Sequence, residues 1–155
     1  MTEAVIAGAL AVATLNAIPA LLGGWLYYRG EPADRRALHA FWVLLRIGQA
    51  AALIFAVAVG ALAAAGRYSG EHLFYLYSLL PLVVAFVAEQ LRVSSAQTIL
   101  DQRGLDGAEA VGGLSEGEQR ALVGDIVRRE MVVMALSALV VVVLELRAAS
   151  TAHGF

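Results

Sequence analysis

FWVLLRIGQAAALIFAVAVGALAAAG, residues 41–66, is an apolar segment whose only strongly polar side chains are Arg46 and Gln49. A helix needs roughly 20 residues to cross the hydrocarbon core of a bilayer, and this segment exceeds that length. Further apolar stretches occupy residues 4–28, 73–88 and 131–146. Because a spanning segment in lipid must bond its backbone polar groups internally, each of these stretches is predicted to be a transmembrane helix.

The composition supports a membrane protein and excludes several other classes. Apolar residues make up 60% of the 155 residues, whereas soluble domains contain about 45–50%. The formal net charge of -2 provides no basic face for nucleic acid, so nucleic acid is not an expected partner. Because the chain contains no cysteine, it can form neither a disulfide nor a thiolate metal site.

No motif in the sequence indicates a cofactor or a catalytic centre. The predicted spans place His39, His72 and His153 where no two share a level inside the bundle, as facing haem ligands must. No nucleophile is paired with a base, and no metal-ligand spacing is present. We therefore expect no cofactor, no metal site and no catalytic residues, and an enzyme is the least favoured class of function.

The predicted architecture is all-α: an integral membrane antiparallel four-helix bundle that forms one domain over residues 1–155. Its spans cover about residues 4–28, 39–66, 72–91 and 128–148, and a cytosolic helical hairpin of about residues 92–127 joins the third and fourth spans. Ser115 and Glu118 have the spacing of a capping box, which predicts a helix start there. Four apolar residues on each arm are predicted to meet in the hairpin: Val93, Ala96, Ile99 and Leu100 on one arm, and Leu122, Val123, Ile126 and Val127 on the other. The glycines between Gly104 and Gly113 predict a loose connecting loop.

The distribution of arginine predicts the orientation of the spans. Most arginines flank one side of the predicted membrane, namely Arg29, Arg35, Arg36, Arg92, Arg103, Arg120, Arg128 and Arg129. Only Arg67 and Arg147 flank the other side. Since basic residues are retained on the cytoplasmic side, the protein is predicted to be a multi-pass protein of a bacterial plasma membrane with both termini outside the cytoplasm.

Small residues in the second span form a stripe that favours close helix packing. Gly48, Ala52, Ala56, Gly60 and Ala64 recur at every fourth position and share one face. Either this face packs inside one four-helix bundle, or it associates with a second copy or another membrane protein. The leading functional hypothesis is a protein that acts by helix association, as a homo-oligomer or as a subunit of a larger complex in the lipid bilayer.

Polar residues at membrane depth support an alternative function. Arg46 on the second span and Glu89 on the third are predicted at the same depth, so they are expected to form an ion pair. The predicted polar site consists of Arg46, Gln49, Ser78, Glu89, Gln90 and Asn16. Such a site would suit a small transporter or channel for an ion or small molecule. Glu145 and Arg147, in contrast, are interpreted as an interfacial pair that ends the last span.

Overall fold

The computed structural model describes residues 2–30, 34–105 and 107–153. Four long helices contain most of these residues: α1 (Thr2–Arg29), α2 (Arg35–Ala64), α3 (His72–Gln102) and α5 (Glu116–Thr151). A short helix, α4 (Gly107–Gly112), lies between α3 and α5. No strand occurs in the described ranges, so the all-α prediction is confirmed. All four long helices are long and apolar enough to span a membrane, and their most apolar windows have mean hydropathies between 1.6 and 2.3.

The ends of the helices have local causes that were visible in the sequence. The Asp34 carboxylate accepts a hydrogen bond from the Arg36 backbone amide and so caps the start of α2. Gly104 follows α3 with φ +63°, a left-handed conformation that stops the helix at little strain. The capping box before α5 is confirmed, since the Ser115 amide donates to the Glu118 carboxylate and the Ser115 hydroxyl accepts from the Glu118 amide. Hydrogen bonds from Ser115 also lower the pKa of the Glu118 carboxyl.

The prediction of a loose loop after Gly104 is wrong in part, because α4 forms within it. The segment between Gly107 and Gly112 contains alanine and glutamate, which favour helix. The side-chain amide of Gln119, one turn after the start of α5, donates hydrogen bonds to the backbone carbonyls of Val111 and Leu114. These bonds join the end of the connection to α5, an arrangement that glycine spacing alone does not indicate.

The helix contacts are unequal around the molecule. α5 packs extensively against both α1 and α3, whereas α2 packs mainly against α1 and less against α3. Two hydrophobic clusters form the core. The Phe74 cluster comprises Val5, Ala9, Val12, Ala52, Phe55, Val59, Phe74, Ala148, Ala149 and Ala152. The Phe41 cluster comprises Leu26, Phe41, Leu45, Ala88, Met131, Met134, Ala135 and Ala138.

The arms of α3 and α5 beyond the predicted spans make fewer apolar contacts than the sequence predicts. Ile99 and Leu122 are buried as expected, but Val93 and Val123 remain 67% and 58% exposed. Val93 lies six residues before Ile99, about 240° around the helix, so both side chains cannot face the same neighbour. Ser95, four residues before Ile99, is buried in place of Val93.

The small-residue stripe of α2 is divided between the interior and the surface. Gly48, Ala52 and Ala56 are buried within this one chain. A Cβ atom on Gly48 would lie 2.7 Å from Oδ1 of Asn16, so the close approach of α1 requires glycine there. Gly60 and Ala64 are exposed, and a Cβ atom on Gly60 would meet nothing within 4 Å. Only this end of the stripe is open to a partner, and association through it stays a prediction.

Candidate functional site

Arg46 lies in an ion-pair network that joins α2 to α3. Its Nη1 atom donates to Oε1 of Glu89 at 2.6 Å and to Oε1 of Gln49 at 2.7 Å. The predicted contact between Arg46 and Glu89 is therefore confirmed. Matched depth on neighbouring helices predicted it correctly, because a charged side chain near the apolar layer is stabilised by a nearby opposite charge.

The network extends to α5 through a second arginine. Nε of Arg92 donates to Oε2 of Glu89 at 2.9 Å, and Nη1 of Arg92 lies 3.9 Å from Oε2 of Glu130. The Arg92 guanidinium also lies over the Trp42 ring, 5.5 Å from its centroid. Two arginines thus face two carboxylates, so charge in this Arg46 network is balanced. Such an arrangement stabilises the register of three helices and leaves no excess charge for a ligand.

The remaining predicted site residues do not join the Arg46 network. The amide of Asn16 donates to the carbonyls of Val12 and Gly48, at 2.9 and 3.2 Å, and so links α1 to α2 in the interior. The hydroxyl of Ser78 is fully buried and donates to the Phe74 carbonyl at 2.9 Å. Gln90 is exposed. Three of the six predicted residues, Arg46, Gln49 and Glu89, therefore lie together, and Asn16, Ser78 and Gln90 lie apart from them. A binding role for any of the six stays a prediction.

Glu145 on α5 is the most unusual polar residue of the interior, and the sequence interpretation of it is wrong. Its side chain is 0% exposed, and neither carboxyl oxygen has a hydrogen-bond partner among the residues that the structure describes. Arg147 is exposed and lies about 200° around the helix from Glu145, so it points to the opposite side of α5. Glu145 is thus part of the packed interior, and the two residues do not form an interfacial pair.

The position of Glu145 follows from the Phe74 cluster. Ala148 of α5 and Phe74 of α3 belong to that cluster. Glu145 lies one turn before Ala148 on α5, and Ser78 lies one turn after Phe74 on α3. Both residues are 0% exposed. Ala138, Ala148 and Ala149 lie on the same face of α5 as Glu145. Because small residues mark packed faces of membrane helices, this pattern could have predicted that Glu145 faces the interior of the helix assembly.

Apart from Glu145, the titratable side chains that the structure describes at this end of the molecule lie at its surface or are partly covered. α2 has none between Arg46 and its end at Ala64. The others are exposed or half-buried: Glu3 on α1, His72, Tyr75 and Tyr77 on α3, Arg147 on α5, and Arg67, Tyr68, Glu71 and His153 in the flanking segments.

An isolated carboxylate in an apolar interior is strongly unfavourable, because it loses hydration without gaining a counter-charge. The Glu145 side chain is stable there when it carries a proton or holds a cation. Chemically, it can therefore exchange a proton or bind a positively charged ligand. In the described ranges, no group of three or more histidine, aspartate or glutamate side chains is suited to a metal ion.

Four apolar helices of spanning length indicate a multi-pass membrane protein. Comparison with protein-family models, with curated proteins and with solved structures gives no significant match to this chain.

Proposed function

We propose that the protein is a small transporter or channel in which Glu145 is the proton- or cation-binding group. The main observation in support is that this carboxyl is fully buried and has no hydrogen-bond partner among the described residues. Ionisable residues inside membrane domains are energetically expensive and commonly line substrate or proton pathways. The Arg46 network supports this function less well, since its arginines and carboxylates already neutralise one another.

Access to Glu145 requires a side of the helix assembly that can open. The interface of α2 with α3 is smaller than those of α1 with α2, α1 with α5 and α3 with α5, so this side is the easiest to separate. α3 also contains the buried Pro81, which has no amide hydrogen to bond the carbonyl of Tyr77. Ser78 lies between these two positions. We infer that α3 bends at Pro81 to expose Glu145 to water or to a cation.

Carbodiimide labelling tests the state and access of Glu145. Dicyclohexylcarbodiimide is an apolar reagent. The O–H group of a protonated carboxyl adds across one of its C=N bonds, with oxygen on the central carbon and the proton on nitrogen, and the O-acylisourea formed rearranges to a stable N-acylurea. We expect mass spectrometry of the protein in mild detergent to show the adduct on Glu145. Glu145→Gln should lose the label, whereas Glu71→Gln, at an exposed carboxyl near the same end, should keep it.

Transport itself is measured in liposomes that contain a trapped pH-sensitive dye. A pH gradient should decay faster with the wild-type protein and with Glu71→Gln than in protein-free liposomes, and Glu145→Gln should abolish the difference. Equal decay for wild type and Glu145→Gln of both a pH gradient and a sodium gradient would overturn the proposed function. Labelling confined to other carboxyls would overturn the protonated state of Glu145.

We propose the plasma membrane as the location, with both termini outside the cytoplasm and residues 92–127 as a cytosolic helical hairpin. The clustering of arginine on one side supports this orientation. An antiparallel bundle is supported by the Phe74 cluster, which combines residues near the starts of α1 and α3 with residues near the ends of α2 and α5. A bacterial source would agree with this location.

Association with a second copy is a second candidate function, favoured by the outer surface of α1 and α2. An apolar groove of about 420 Å³ lies between these helices, and its lining includes Gly8, Ala51 and Ala58. Small side chains of this kind permit close approach of another helix in lipid. The exposed Gly60 and Ala64 lie on the other side of α2, about 180° and 220° around the helix from Ala51, and provide a separate small-residue surface.

Gly60→Leu is expected to shift the protein from dimer to monomer without unfolding it. The leucine would separate two closely packed helices, while its own chain has open space at that position. Native mass spectrometry from mild detergent measures the distribution. Val57→Leu is the matched control on α2, because Val57 is 63% exposed. An unchanged distribution in Gly60→Leu would count against association through α2.

A further inference from the structure

A groove with an excess of positive charge lies where α1 meets α3 and α5. It has a volume of about 500 Å³, and its lining includes Tyr27 from α1, Arg103 directly after α3, and Asp125, Arg128, Arg129 and Val132 from α5. We call it the Arg128 groove. It is separate from Glu145, which lies on α5 about 16 residues, or roughly 24 Å, further along the helix.

The charges of the Arg128 groove are unequal. Three guanidinium groups line it, and Asp125 is the only carboxylate among the described lining residues. Arg103 forms an ion pair with Asp125, which neutralises one of the three. Arg128 is held over the Tyr27 ring, 4.7 Å from its centroid, a contact that orients the guanidinium and leaves its charge uncompensated. The described residues provide no ion pair for Arg129. Arg128 and Arg129 thus remain available to an anion.

The position of the groove along the helix axes indicates which kind of anion it can meet. α1 ends at Arg29, just after Tyr27, whereas α3 and α5 continue beyond this level. The apolar part of α5 begins at Met131, after Glu130, and Val132 forms part of the lining. The groove therefore lies at the boundary between polar and apolar surface, where lipid phosphates are located. Guanidinium groups are well suited to phosphate because they donate paired hydrogen bonds to its oxygens.

We infer that the Arg128 groove binds the phosphate headgroup of an anionic phospholipid through Arg128 and Arg129. Tyr27 orients Arg128, and the pair between Arg103 and Asp125 forms the polar wall. The lipid's acyl chains continue over the apolar surface next to Val132. This inference does not rest on a transport function for Glu145.

Thermal unfolding in mild detergent tests the site with three additives: phosphatidylglycerol, phosphatidylcholine and inorganic phosphate. We expect phosphatidylglycerol to raise the unfolding temperature of the wild-type protein, and the other two to leave it unchanged. The double variant Arg128→Gln/Arg129→Gln should lose this shift. Arg120→Gln is the matched control, since Arg120 is an exposed arginine of α5 outside the groove lining. It should keep the shift.

Native mass spectrometry provides a second measurement that does not depend on unfolding. Retention of phosphatidylglycerol should be greater for wild type and Arg120→Gln than for the double variant. Equal retention and equal thermal shifts in all three proteins would overturn the site. If inorganic phosphate alone produces the full shift, the lipid assignment is overturned, and a soluble phosphate ligand replaces it.

Discussion

Gly23→Ala is expected to destabilise the protein by about 1–3 kcal/mol, the usual range for overpacking a core. A Cβ atom at this position would lie 2.6 Å from Cβ of Ala135 on α5 and 2.8 Å from Cε2 of Phe41 on α2. The Ala135 methyl group cannot rotate away, and Phe41 is fully buried. α1 must therefore shift from both neighbours to accept the new methyl group. Denaturant unfolding in mild detergent measures the loss.

The neighbouring Gly24 provides a matched control for this experiment. A Cβ atom on Gly24 would meet nothing within 4 Å. Gly24→Ala should therefore leave the fold unchanged and raise stability by up to about 1 kcal/mol, because alanine favours helix more than glycine does. Both substitutions add one methyl group to the same helix. Equal stabilities for the two variants would contradict the close packing of α1 against α2 and α5.

Glu145→Leu is expected to make the protein more stable and inactive in the liposome assay. The wild-type carboxyl is buried without a hydrogen-bond partner among the described residues, and such a group destabilises by about 1–3 kcal/mol. Leucine has a similar size and no polar atoms, so its substitution should recover much of this energy. The same detergent unfolding experiment measures stability. A gain in stability combined with a loss of function is expected where a polar group is retained for activity.

Arg147→Leu is the control for Glu145→Leu on the same helix. Arg147 is exposed and lies on the opposite side of α5, so its substitution should change neither interior packing nor transport. If Glu145→Leu instead lowers stability by several kcal/mol, the carboxyl has a structural partner. The proposed role of Glu145 as an exchangeable group would then be wrong.

Several features were predictable because their causes are local or involve charge. The long apolar segments predicted α1, α2, α3 and α5, since length and hydropathy alone decide whether a helix can span a bilayer. The capping box at Ser115 depends on residues three positions apart. The pair of Arg46 and Glu89 was predictable because few partners for a charge exist at membrane depth.

Other features depended on the rotation of each helix about its own axis. In a soluble helix, the contrast between apolar and polar faces indicates which side is buried. In lipid, the packed face and the lipid-facing side are both apolar, so this contrast is weak and small residues are the main remaining signal. The sequence by itself therefore determined the number of long apolar helices, the end of α3 before Gly104 and the start of α5 after Ser115, whereas it placed the start of α2 at about residue 39 instead of Arg35. Only the tertiary structure decided that Glu145 faces the interior, that Gly23 contacts two neighbouring helices, and that Gly60 remains open, because each depends on how neighbouring helices are rotated against one another.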